Sequence, residues 1–163
     1  MTTFAYIVGD NISTDLIHPP NFFSLNKEIR MQGLLHGYNP EWAKNIEPDS
    51  IIIGGENFGC GSSREVTAQV FADRGIKLVC ATSFARIFYR NMINLGIPIY
   101  TIKTAIPWQD NTKVAITLAD NDLQITDQHS NSIKLNPLST FAKKIIGNGG
   151  LLNSIDTLFQ SQP

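Results

Sequence analysis

Residues 51–65, IIIGGENFGCGSSRE, constrain the fold of this chain more than any other stretch. Ile51, Ile52 and Ile53 form a short apolar run that ends at a glycine pair, the pattern of a buried strand entering a turn. Gly59 and Gly61 flank Cys60, Ser62 and Ser63 follow, and residues 66–75 read as a helix. Strand, glycine-rich loop and helix start in succession aim unpaired N–H groups and the positive end of a helix dipole into one place, which suits an anion. Arg64 falls in the first helical turn, where the dipole disfavours a cation. An arginine at a place unfavourable for the helix points to another task, and its planar donor fork matches a carboxylate.

The remainder of the chain supplies strands and helices around that stretch. Residues 4–8 are rich in β-formers and predict a first strand, which ends in the polar loop GDNISTD carrying Asp10, Asn11, Thr14 and Asp15. Ile17, His18, Pro19 and Pro20 must be extended, because each proline disfavours helix in the residue before it. Residues 21–35 predict a helix with Leu25, Ile29 and Leu34 on one side. Asn39 caps a short helix that starts at Pro40. Strands follow at 77–81 and 97–102. Between these two strands, Thr82 or Ser83 caps a helix whose apolar stripe is Phe84, Ile87, Phe88, Met92 and Leu95.

From 51 to 102 the order is β-α-β-α-β, which predicts a parallel sheet with right-handed crossovers. Beyond residue 113 the apolar period changes to two. VAITL, LQITD and SIKL, separated by the turns ADND and QHSN, predict an antiparallel meander. Residues 139–146 and 151–158 predict terminal helices. The fold class is therefore α/β, read as one domain over residues 1–163.

Composition narrows the function. A net charge of −1 without a basic run argues against a nucleic-acid partner. No apolar run reaches the ~20 residues that span a bilayer, and residues 1–10 have no basic start or long apolar core, so a cytoplasmic chain with no membrane partner is expected. Two cysteines cannot supply a three- or four-thiolate site, so no metal is expected on this chain. They read as free thiols. The glycine loop is not a Walker A loop, for no Lys-Ser or Lys-Thr follows it. It fails the dinucleotide fingerprint because Arg64 stands where a third glycine belongs. It lacks the GxSxG nucleophile elbow. Cys60 beside a helix N-terminus could be a nucleophile, but none of His18, His36 and His129 carries a motif linking it to Cys60 as a base.

GENFGCGSSRE, followed by GIKLVCATSFARIFYRNMINLGIP, closely resembles the small subunit of 3-isopropylmalate dehydratase, itself similar to the swivelling domain of aconitase. GDNISTDLIHPP and GYNPEWAKNI resemble that family's upstream motifs, so the likeness runs well over residues 4–102 and loosely beyond. The resemblance implies an aconitase-swivel-like domain and a hydro-lyase that works only as a complex. Its partner would be a large subunit carrying a [4Fe-4S] cluster, with no cofactor on this chain, in the leucine-forming interconversion of 2- and 3-isopropylmalate. It implies Ser62 as the base, Ser63 as a hydrogen-bond donor to the substrate, and Arg64 as the clamp on a carboxylate of a small dicarboxylic acid. Asp15 matches an aspartate that supports the site. Phe23, Ser24 and Leu25 align with the segment that reads the variable side chain of the substrate.

Two features qualify the match. Val66 stands where relatives often carry histidine, at a position read as outside direct substrate contact. Phe22, Phe23 and Leu25 are apolar, which favours an alkyl substituent over a further carboxylate arm such as that of homoaconitate; dimethylmalate or citraconate would suit as well. Blander roles remain beside these: helix capping for Ser62 and Ser63, an ion pair of Arg64 with Glu65 or Asp73, and an Asx-turn for Asp15. A carboxylate-binding module without catalysis is the alternative outside enzymes.

Overall fold

In the computed structural model, which describes residues 3–110, 112–119 and 122–159, seven strands form one sheet. They are β1 (Thr3–Ile7), β2 (Ile51–Gly54), β3 (Leu78–Ala81), β4 (Ile99–Thr101), β5 (Thr112–Ala119), β6 (Asp122–Asp127) and β7 (Ser132–Lys134). The spatial order is β4-β3-β2-β1-β5-β6-β7. β1 to β4 run parallel, as the alternation of strands and helices predicts. β5, β6 and β7 form the expected antiparallel meander; residues 120 and 121 of its first turn lie outside the described residues.

The meander continues the parallel sheet. β5 pairs antiparallel with β1, with Thr3 opposite Val114, so the N-terminal strand lies at the centre. The sheet also curls. An antiparallel bridge between Ile102 and Leu135 brings the ends of the two edge strands together, and Asn136 N–H donates to the Thr101 carbonyl at 2.9 Å. Curling leaves two cores, because successive residues of each strand face opposite sides. Ala5, Ile51, Ile53, Leu78 and Cys80 point inward with Val114, Ile125 and Ile133. Tyr6, Val8, Ile52 and Val79 point outward beneath helices. Ile51, Ile52 and Ile53 are all fully buried, at roughly 2 kcal/mol of burial each.

The helices are α1 (Thr14–Ile17), α2 (Lys27–Met31), α3 (Pro40–Asn45), α4 (Glu65–Arg74), α5 (Arg86–Asn94), α6 (Thr140–Gly147) and α7 (Leu151–Phe159). Gly75 ends α4 in the left-handed conformation, φ 70°, where a side chain would be strained. Asn39 caps α3 through its Oδ1, as expected. No helix among the described residues is long and apolar enough to cross a membrane.

The stretch expected to be extended is shorter than residues 17–20, because Ile17 closes α1 and Pro20 opens a 3-10 turn. Two expected helices also differ. Residues 21–35 contain only a 3-10 turn, Pro20–Phe22, and the five-residue α2, whose cap is Asn26. Asn26 accepts from Glu28 and Ile29 N–H groups and so starts a new helix midway through the segment. Residues 82–85 do not cap α5, which starts at Arg86 behind Ala85 without a side-chain cap. Ser83 is used elsewhere: its carbonyl accepts from Phe58 N–H and its hydroxyl from Asn57 N–H. Of the expected stripe, Phe88 and Met92 are buried but Ile87 is exposed.

Candidate functional site

Three loops leave the C-terminal ends of β1, β2 and β3 and lie side by side. The loop after β1 is paired to the glycine loop over its whole length. Gly55 N–H donates to the Gly9 carbonyl, Asn11 N–H to Glu56, Gly59 N–H to Ile12 and Thr14 N–H to Cys60, at 2.7–3.1 Å. Asp10 Oδ1 accepts from Glu56 N–H at 2.7 Å, and Asn57 Nδ2 donates to Asn11 Oδ1 at 3.0 Å. The loop after β3 joins from the other side, where Ala85 N–H donates to the Phe58 carbonyl. Backbone pairing thus fixes a loop that, on composition alone, would be mobile.

Glycines permit this close approach. Gly59 has φ +81°, and a methyl group on it would clash with Cγ of Phe88. Gly61 has φ +96° and lies beside the Thr14 hydroxyl. The chain then rises to the surface. Ser62, Ser63, Arg64 and Glu65 are all exposed at the N-terminus of α4. Arg64 is the N-cap and has no acceptor to offer, so the first N–H groups of the helix gain no side-chain cap.

Arg64 is oriented by an aromatic ring. Its Cζ lies 5.0 Å from the centroid of Phe23, over the ring face. It makes no ion pair with Glu65 or Asp73 among the described residues; Asp73 is paired with Arg30 instead. The guanidinium therefore has its in-plane N–H groups unspent. The hydroxyls of Ser62 and Ser63 make no hydrogen bond within the described structure and cap nothing.

The other predicted residues divide. Asp15, exposed in the first turn of α1, is one residue from the Thr14–Cys60 bond, so the fold brings it beside the serine loop. The cap of α1 is Ser13, whose Oγ accepts from Leu16 N–H, so Asp15 does not form the Asx-turn. Ser24 accepts from Asn26 N–H through its hydroxyl, which a local turn thus occupies. Leu25 is fully exposed. Ser24 and Leu25 line, with Arg30, Glu65, Val66 and Gln69, a cleft of about 440 Å³ along the start of α4. Val66 therefore faces the same cleft as the expected side-chain reader.

Arg30 and His18 are parts of this region that sequence spacing does not reveal. Arg30 Nη1 donates to the carbonyls of Ser24 and Leu25 at 2.8 and 3.0 Å, while its Nε binds Asp73. His18, adjacent to the proline pair, is buried under Phe23. Burial lowers the pKa of His18 from its ordinary value; the Arg30 carbonyl opposes this in part, the Arg30 charge adds a smaller lowering, and Asp73 a smaller raising effect still. A second cleft, of about 480 Å³, lies across β1, β5 and β6 between Phe4, Lys113 and Asp127. It is remote from the three loops and lacks their convergent serines and arginine.

Backbone-paired loops at the C-terminal ends of parallel strands present exposed serines and an arginine with no ion pair among the described residues, which defines an α/β domain with an anion-binding loop edge. Residues 35–104 match the Aconitase C-terminal domain family. The 3-isopropylmalate dehydratase small subunit of Brachyspira hyodysenteriae is 39% identical over 155 residues, 93% of this chain and 94% of that relative. The methanogen homoaconitase small subunit of Methanothermobacter thermautotrophicus is 36% identical over 156 residues, 91% and 89% of the two chains. A crystal structure of 3-isopropylmalate dehydratase from Methanocaldococcus jannaschii superposes with a TM-score of 0.87 at 34% identity, covering 98% of this chain and 96% of that one. The chain belongs to the 3-isopropylmalate dehydratase small-subunit family.

Proposed function

We propose that this chain is the small subunit of a hydro-lyase that interconverts 2- and 3-isopropylmalate together with a separate large subunit. The observation that carries this reading is the exposed Ser62-Ser63-Arg64 tip, held by paired loops and open to whatever covers it. Small subunits at 32–39% identity over about nine-tenths of the chain support the same reading.

Dehydration removes a proton from one carbon and hydroxide from its neighbour. Ser62 would accept the carbon-bound proton as an alkoxide, and returns it during rehydration. Its hydroxyl needs its anion stabilised, and the Arg64 charge with the uncapped N–H groups of α4 provides positive potential next to it. Ser63 would donate to the substrate, and Arg64 would hold a carboxylate by two parallel N–H···O bonds. Asp15 would support the site from the neighbouring loop. Phe23 and Leu25 would face the alkyl group, with Ser24 holding their turn. These assignments favour isopropylmalate over homoaconitate, whose extra carboxylate finds no arginine in residues 21–25.

An iron–sulfur cluster does not fit the residues of this chain. Among the described residues no three His, Cys, Asp or Glu side chains gather, and Cys80 is sealed in the inner core with its thiol pKa pushed up by burial. By likeness to the family, a [4Fe-4S] cluster would belong to the large subunit, where it would supply the Lewis acid for the departing hydroxyl.

Anaerobic mixing with a cluster-bearing large subunit, followed by alkene absorbance from isopropylmalate, tests the reading. Turnover that requires both chains is expected. Absence of turnover with the cognate large subunit on any malate derivative would overturn it, and a clear preference for homoaconitate would select the homoaconitase reading.

A further inference from the structure

His18 is fully buried, and neither ring nitrogen makes a hydrogen bond of good geometry; the Arg30 carbonyl acts on the ring only as a weak, poorly aligned acceptor. Such a group is costly to keep, so its position calls for a reason. One edge of the imidazole lies on Gly33, where a methyl group would come within 2.7 Å of Nε2 and closer still to Cδ2. Gly33 is thus the space into which the ring fits. Against the imidazole packs Phe23, centroids 5.1 Å apart and planes at 48°. Phe23 in turn carries the guanidinium of Arg64, 5.0 Å from its centroid. Imidazole, phenyl ring and guanidinium make a continuous column from the interior to the exposed tip of the glycine loop.

A long arginine side chain at an exposed N-cap has many rotamers, and fixing one costs entropy at the moment of binding. No hydrogen bond restrains Arg64 among the described residues, which leaves the Phe23 ring to do so. Contact through the guanidinium face leaves the in-plane N–H groups free for a carboxylate. We propose that His18 is a positioning residue, which holds the Phe23 ring as a platform and thereby sets the orientation of Arg64 before substrate arrives. The imidazole acts by shape in its neutral form, which burial favours. The link to substrate rests on Arg64 being the carboxylate clamp; the column itself does not.

Proton NMR of the isolated chain tests the column without the enzyme reading. In the wild type, nuclear Overhauser contacts are expected from the Arg64 side chain to the Phe23 ring and from that ring to the His18 imidazole, with an upfield ring-current shift of the Arg64 methylenes. Phe23→Leu should abolish the shift. His18→Ala should remove most of it while the strand amides stay unmoved, His18→Val should give an intermediate value, and His18→Leu, which restores volume, should recover it. Absence of the wild-type contacts, or an unchanged Arg64 shift in His18→Ala or, if that variant does not fold, in His18→Val, overturns the proposal. In the assembled enzyme, His18→Ala and Phe23→Leu should raise KM for the dicarboxylate about fivefold with little change in kcat. A fall in kcat at constant KM overturns the positioning role. A wild-type complex without turnover would instead count against the functional reading, and the NMR result would still decide the column.

Discussion

Arg30 Nε donates to Asp73 Oδ2 at 2.7 Å and joins the short α2 to the last turn of α4. The same guanidinium holds the carbonyls of Ser24 and Leu25. One side chain therefore sets the spacing between the segment at 23–25 and the helix that begins beside Arg64. Both partners are largely buried, with side chains 14% and 7% exposed, so solvent screens the pair weakly.

Asp73→Ala leaves Arg30 charged and unpaired in that setting. Urea unfolding of the isolated chain should show a loss of about 3 kcal/mol. A cycle with Arg30→Met should return a coupling energy above roughly 1 kcal/mol, and additive single effects would mean the pair is energetically idle.

Ser62→Ala removes an exposed hydroxyl that makes no hydrogen bond among the described residues. The thermal midpoint should stay nearly constant, whereas turnover in the assembled enzyme should fall by about 10²–10⁴-fold. Arg64→Lys loses the two-point clamp and should raise KM about tenfold. Wild-type turnover in Ser62→Ala would remove the serine from its role as base.

His18 should make stability depend on pH. The unfolded histidine titrates near 6.5 and the folded one lower, so between those values the unfolded chain binds more protons. The contribution is whole above 6.5 and is lost as pH falls below it, at up to about 1.4 kcal/mol per unit, until the folded ring protonates. Denaturant midpoints of wild type and His18→Leu compared between neutral and mildly acidic pH isolate this slope. Parallel curves would show that the buried ring titrates normally.

Gly59→Ala combines a left-handed backbone, φ +81°, with a methyl group driven into Phe88. A loss of about 3 kcal/mol in denaturant unfolding is expected, with the loop displaced. A fully stable variant would show that Phe88 can give way.

The two thiols should react very differently. Cys60 is half-buried in the loop, whereas Cys80 is fully buried and its thiol pKa is pushed up by burial. Mass spectrometry after native alkylation should find Cys60 modified and Cys80 modified only on unfolding. Rapid double labelling would mean that the inner core opens readily.

How far the residues alone could be read varied along the chain. The isoleucine run, the glycine loop and α4 were legible because each signal is local: apolar burial, turn chemistry and helical period lie within a dozen residues. The parallel unit followed from the alternation of elements. The segment at 21–35 misled because Ile29 and Leu34 suggest helical spacing, while Asn26 restarts the backbone and Gly33 makes room for His18. Ser83 looked like a cap, and the loop it faces claimed its hydroxyl first.

By itself the sequence determined which strands are buried, where the chain turns, and that a serine pair and an arginine end a glycine-rich loop. An alternating pattern says which face of a strand is apolar without naming its neighbour, so only the tertiary structure decided that β5 pairs with β1 and that Ile102 meets Leu135. Only packing could put Arg64 over Phe23, Phe23 over His18, and Arg30 on Asp73. Arg64 with Phe23 and Arg30 with Asp73 join residues far apart in the chain, and Phe23 reaches His18 across the turn between them. No local propensity encodes them, because they exist only once the loops have been laid against one another.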